Sequence, residues 1–182
     1  MSSRVNFGFL LLIFRYIYSY KISALKILIV NGPNLNLLGS RQPDVYGHES
    51  WSESFAALVS RFEGRAEIDC FQSNSEGAII DRLHEADAAL AGLLAPGSAP
   101  DKPRHYDAVV INPGAYSHYS YAIADAIASI GIPAVEVHIS NIMGREEHRH
   151  TSVTAPACAG MICGLGLEGY AAAIEALLRR KI

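Results

Sequence analysis

Three observations predict a doubly wound α/β fold with a parallel sheet. Short apolar runs rich in β-branched residues alternate with amphipathic segments of helical length. The runs are apolar almost throughout, as strands covered on both faces must be, and the residues of unusual polarity fall just past their ends. Right-handed crossovers between such runs give a five-stranded sheet of flavodoxin-like order with helices on both faces, whose ligands sit beyond the carboxyl ends of the strands.

The elements follow in order from Lys26. The first strand is Lys26–Val30 (KILIV), followed by a helix over Ser50–Phe62, a strand over Ala66–Phe71 and a helix over Ser75–Leu94. Ile79, Ile80, Leu83 and Leu90 give that second helix an apolar stripe at three-and-four spacing. The Pro, Gly and Ser of "LAPGSAPDKPRH", Leu94 to His105, mark a surface loop. Then come a strand over Asp107–Ile111, a helix over Ser117–Ile130, a strand over Ala134–Ile139, a short helix at "REEHR", a strand over Cys158–Cys163 and a closing helix over Glu168–Arg180.

The chain of 182 residues suits one domain, read here as residues 26–182. Residues 1–25 form an N-terminal appendage outside that core. Its apolar run Phe7–Phe14 is broken by Arg15 and falls short of the ~20 residues a membrane-spanning helix needs. "YIYSYKISA" is a weak cleavage site for a signal peptide, so a cytoplasmic protein without a membrane anchor is expected. A net charge of −3 gives no basic surface for nucleic acid. Cys70, Cys158 and Cys163 are an odd set without CxxC spacing or a neighbouring His–Cys cluster, which reads as buried, reduced thiols and no metal site. Small molecules and copies of the chain itself remain as partners.

The polar residues collect past three strands: Asn31, Asn34, Arg41 and Tyr46 after the first, Asn112, Ser117 and His118 after the third, and His138, Ser140 and Asn141 after the fourth. Each has an ordinary structural explanation when taken singly. Asn31 or Asn112 suits a turn, His118 a helix cap, and Arg145 and Arg149, four apart, a solvated helix face. The scaffold nevertheless brings all three clusters to one rim. No phosphate-cradling GxxxxGK[ST] or nucleophile elbow is present, and "NGPNLN" after the first strand is not the dinucleotide GxGxxG. The four lysines, Lys21, Lys26, Lys102 and Lys181, lie away from the clusters, which leaves acid–base chemistry rather than an imine.

Six segments in this order, "NGPNLNLLGSRQPDVYG", "QSNSEGAIIDRLHEA", "INPGAYSHYSYAIADAI", "EVHISN", "REEHRHTSV" and "GMICGLGLEGY", resemble the type II 3-dehydroquinate dehydratases. The resemblance runs from Lys26 to about Leu178. It departs from the family in residues 1–25, in a longer loop near Pro96–Pro103, in Gln42 where Glu is usual and in His148 where an aromatic is common. It implies a cofactor-free lyase that removes water from 3-dehydroquinate through an enolate, giving 3-dehydroshikimate in the third step of the shikimate pathway.

The resemblance also implies roles. Tyr46 is the base, and Arg41 in the same loop stabilises its phenolate, which a phenol with an ordinary pKa near 10 needs at neutral pH. His138 is the acid for the departing hydroxyl, with Glu136, two positions earlier on the same strand face, suited to fixing its tautomer. Asn34 and Asn112 hold water or substrate oxygens near the enolate, and the backbone N–H groups of Ile139 and Ser140 receive the carboxylate. His118 and Arg149 bind ring hydroxyls. Asp125, expected on the same helix as His118, resembles the acidic residue that reaches a neighbouring subunit's site in a dodecamer built from trimers. The rival reading is a non-catalytic flavodoxin-like module or a degenerate relative. "NGPN" after the first strand lacks a receiver domain's acidic pair, and Tyr46, Arg41 and His138 are all present.

Overall fold

A computed structural model describes residues 24–39, 50–91, 93 and 105–180. The N-terminal 23 residues, Arg41, Gln42, Tyr46, residues 94–104, Lys21, Lys102 and Lys181 lie outside the described residues. Five parallel strands, β1 (Leu25–Asn31), β2 (Ala66–Gln72), β3 (Ala108–Asn112), β4 (Ala134–His138) and β5 (Gly160–Cys163), form one sheet in the order β2-β1-β3-β4-β5. This is the expected flavodoxin-like topology, with Asn31 level with Asn112 at the carboxyl end.

The alternation of side chains along β1 explains both layers of the core. Ile27 and Ile29 face α1 (Trp51–Arg61) and α5 (Glu168–Arg179), packing with Leu58, Phe62, Tyr170, Ile174 and Leu177. Leu28 and Val30 face the other way, onto Ile79 and Leu83 of α2 (Glu76–Ala86) and Ile123 and Ile127 of α4 (Tyr121–Ser129). All four β1 residues are completely buried, as their unbroken apolar run requires. Among the described residues no helix is long and apolar enough to cross a membrane.

Five expectations need correction. The helix expected over Ser75–Leu94 ends at Ala86 and restarts as α3 (Ala88–Ala91), because Asp87 leaves the helical conformation. Its carboxylate accepts from the N–H of Ala89 at 2.8 Å and of Gly131 at 2.6 Å, so a tertiary contact overrides helix continuity. The helix expected from Ser117 instead starts at Tyr121, capped by Ser120, whose Oγ accepts from Ile123 N–H at 3.0 Å. His118 therefore lies in a preceding 3₁₀ turn, Gly114–His118, and not on the helix that carries Asp125.

"REEHR" forms only a 3₁₀ turn, Glu147–Arg149, drawn in by the Glu146 carboxylate between Arg145 (3.3 Å) and Arg149 (3.1 Å). The last strand begins at Gly160 because a 3₁₀ turn containing Pro156 precedes it, which leaves Cys158 outside the sheet. The three cysteines are free thiols and half-buried, not fully buried. Burial pushes the Cys70 thiol up to about 11 and Cys158 up to about 12, so neither is poised as a nucleophile.

Candidate active site

The carboxyl ends of β1, β3 and β4 open into one crevice of about 700 Å³, counting its open mouth. Two loops build its floor. Gly32 donates its N–H to Asn112 O at 2.8 Å, and a Cβ at Gly32 would stand 2.3 Å from Pro113 O, so only glycine lets the loops close together. The chain then turns at Asn34, which holds a left-handed φ of 65° and gives its N–H to the Asn74 side chain at 2.9 Å. Asparagine tolerates that conformation better than most residues, and the turn sets Asn34 on the crevice wall.

His118 reaches the crevice from the 3₁₀ turn after β3. Its Nδ1 lies 2.8 Å from the carbonyl oxygen of Thr151, which can only accept, so the proton is assigned to Nδ1 and Nε2 keeps a lone pair. Burial holds the imidazole below the ordinary histidine pKa, against the opposing pull of the Thr151 carbonyl and helped by the charges of Arg149, His138 and His148. His118 is thus an acceptor toward the cavity near neutral pH. The His148 ring stands edge-on to it, with centroids 6.5 Å apart.

His138 ends β4 with its ring roughly parallel to that of His118, centroids 6.4 Å apart. Its Nε2 lies 2.7 Å from Oε1 of Glu136, a fully buried carboxylate that also accepts from Ser152 Oγ at 2.7 Å and Thr154 Oγ1 at 2.6 Å. Burying a carboxylate is costly unless its oxygens are met by donors, and here three donors meet them. With Nε2 engaged, Nδ1 is the ring nitrogen left for the crevice.

Beyond β4, Ile139 and Ser140 line the wall, and Asn141 caps the 3₁₀ turn Ile142–Gly144 by accepting from Met143 N–H at 3.1 Å. Arg145 and Arg149 line the same wall, with Arg145 Nη1 3.4 Å from Ser140 Oγ. Among the described residues no group of three or more His, Cys, Asp or Glu could hold a metal ion.

The crevice thus gathers Asn34, Asn112, His118, His138, Ile139, Ser140 and Arg149. Ser117 and Asn31 lie buried behind it, and Asp125 is exposed on α4, away from this wall. Arg41 and Tyr46 lie outside the described residues. Arg145 was read from sequence only as half of a charged pair, although its spacing from Arg149 was the available signal. Lys26 stands at the opposite end of β1, its ammonium 3.7 Å from Glu67.

The family described as Dehydroquinase class II matches residues 25–178. The chain belongs to the class II dehydroquinase family. Among relatives of this family, it is 51% identical over 163 residues to a 3-dehydroquinate dehydratase of Lachnoclostridium phytofermentans, covering 87% of this chain and 99% of the relative. It is 50% identical over 153 residues to that of Halalkalibacterium halodurans, covering 84% and 94%. The crystal structure of the type II dehydroquinase from Butyrivibrio crossotus superposes with a TM-score of 0.73 at 47% identity, covering 85% of this chain and 98% of that one. That from Propionibacterium acnes gives 0.72 at 40% identity, covering 85% and 97%. The dehydroquinase match begins where β1 begins.

Proposed function

We propose that this class II dehydroquinase removes water from 3-dehydroquinate to give 3-dehydroshikimate, with the crevice residues dividing the work of one enolate mechanism. The reaction is that of a carbon–oxygen lyase in the shikimate pathway. The observation that carries the residue-level reading is the buried Glu136 carboxylate gripping His138 at the crevice wall.

Elimination next to a ketone needs a base, a site for the developing oxyanion and an acid for the leaving hydroxyl. Tyr46, as a phenolate stabilised by Arg41, takes the proton from the carbon adjacent to the ketone. The electron pair moves onto the ketone oxygen, where Asn34 and Asn112 supply hydrogen bonds directly or through water. The enolate then collapses as the carbon–oxygen bond breaks, and His138, as imidazolium, gives its Nδ1 proton to the hydroxyl, which leaves as water. A proton passing from Tyr46 to His138 through solvent restores both groups. No redox or group-carrier step arises, so the chemistry calls for no cofactor.

The carboxylate is held at Ile139 and Ser140, beside the Arg145 guanidinium. His118, with Nε2 as acceptor, and Arg149, as donor, read the ring hydroxyls. Asp125 completes the site of a neighbouring subunit in trimers that gather into a dodecamer. The exposed Tyr119 and Tyr121 flanking the start of α4 support that contact, since they are 60% and 70% exposed and well suited to burial by another copy. The free thiols suit the reducing cytoplasm. We take residues 26–182 as the catalytic domain.

Adding 3-dehydroquinate to the purified protein and following ultraviolet absorbance tests the reaction, because the product's conjugated enone absorbs and the substrate does not. A steady rise proportional to protein concentration is expected. A flat trace would leave a fold without this activity.

A further inference from the structure

The crevice residue Asn112 is not free to choose which end of its amide it shows to a ligand. Its Oδ1 accepts from Gly114 N–H at 3.2 Å, and its Nδ2 donates to the hydroxyl of Tyr170 at 3.0 Å. A phenol has one proton. Having accepted from Asn112, Tyr170 must give its own elsewhere, and it does so to Asn31 Oδ1 at 2.8 Å. Turning the Asn112 amide over would set its N–H groups against the N–H of Gly114.

The three side chains come from β1, β3 and α5, and all are buried: Asn31 at 0%, Tyr170 at 1% and Asn112 at 3% exposure. The Trp51 ring packs on Tyr170 with centroids 4.9 Å apart, which holds the phenol in place. Burial raises the phenol's pKa well above its ordinary value, so it stays a hydroxyl with a donor and an acceptor side.

Stability alone is a poor account of this chain. Asn31 Nδ2 is buried without a hydrogen-bond partner among the described residues, which costs stability that an apolar pair would not. Asn31 is tolerated there for its oxygen, which fixes the direction of the Tyr170 proton. The second N–H of Asn112 is what remains for the crevice.

We infer that Tyr170 is a positioning residue, holding Asn112 as an oriented hydrogen-bond donor to the substrate oxygen on which charge develops. The inference deepens the dehydratase reading and rests on it. It adds a residue on the far side of the sheet end, outside the crevice wall, and a segment, "GLGLEGY", to which the proposed mechanism gives no part.

A double-mutant cycle tests it, with Tyr170→Phe, Asn112→Ala and the pair, each assayed for kcat and KM with 3-dehydroquinate and for unfolding temperature. Losing one preorganised donor to a developing oxyanion costs about 10²–10³ in rate, so misaiming it should cost roughly ten- to a hundredfold in kcat with a smaller change in KM. Tyr170→Phe should add little further loss once Asn112 is Ala, because Tyr170 acts through that amide. Multiplying losses, or a Tyr170→Phe enzyme with wild-type kcat, would overturn the inference. If Asn112→Ala itself kept wild-type kinetics, the failure would lie in the role given to Asn112 and not only in Tyr170. Should Tyr170→Phe not fold, Asn31→Ala, which removes only the phenol's acceptor, must lower kcat in the Asn112 enzyme and leave Asn112→Ala unaffected; any other pattern rejects the relay.

Discussion

Replacing Glu136 with glutamine isolates the charge behind His138. The carboxylate is fully buried, with Oε1 shared by His138 Nε2 and Ser152 Oγ and Oε2 bonded to Thr154 Oγ1 at 2.6 Å. Glutamine has nearly the same shape, and its carbonyl oxygen can keep the Oε1 contacts. Its amide takes the Oε2 position against Thr154, a hydroxyl able to accept there and to donate toward Ser152 Oγ, 3.2 Å away. No group is stranded, so the fold should persist. What disappears is one charge: a hydrogen bond to a charged group contributes about 1.5–3 kcal/mol against about 0.5–1.5 for a neutral one. A difference of about 1–2 kcal/mol in support of the imidazolium predicts a kcat roughly 5- to 30-fold lower, with KM changed less. Initial rates of enone formation measure it, with thermal unfolding as the control for folding. A kcat within twofold of wild type in a folded Glu136→Gln enzyme would refute the argument that this carboxylate supports the acid.

Tyr46→Phe, which removes only the ionisable oxygen, should lower kcat by about 10²–10⁴-fold with little change in substrate binding by calorimetry, and a drop under tenfold would remove Tyr46 from the role of base. Adding Arg41→Ala should make that enzyme little worse, whereas independent roles would multiply. Asp125→Asn should raise KM in an enzyme that still assembles, and light scattering with activity across dilution checks the shared site: a fully active species of 19.7 kDa would exclude it. Because the folded pKa of His118 is depressed, the unfolded chain takes up this proton first as pH falls below the ordinary 6.5. Its contribution to stability is therefore full above 6.5 and lost as pH falls toward the folded value, so denaturant titrations at descending pH should show a shallower decline in His118→Asn than in wild type.

The sheet was legible because β1, β3 and β4 are buried on both faces and are apolar at every interior position but Glu136, whichever way a side chain points. The crevice was legible for the same reason: Asn112, His118 and His138 interrupt or follow runs that leave no structural use for so many polar groups. Helix ends were not. Asp87 breaks a helix by bonding to Gly131, which is 44 residues away, and no local pattern contains that contact. Ser117 and Ser120 are equally good caps by residue type, and the choice falls to Ser120, whose hydroxyl also reaches Glu76 Oε1 at 2.5 Å. Tyr170 was invisible as part of the site, since an aromatic on the apolar face of a helix reads as core, and its partner Asn112 is 58 residues distant.

The central claim is that base and acid act in separate steps joined by an enolate, and deuterium exchange in a His138→Gln enzyme tests it most directly. Without the acid, the base can still remove the proton beside the ketone and solvent can return a deuteron, while water cannot leave. Proton NMR of 3-dehydroquinate in D₂O should then show loss of one proton signal next to the ketone, faster than without protein, with almost no enone formed. Neither exchange nor product from a folded enzyme that binds substrate, or product at the wild-type rate, would contradict the account.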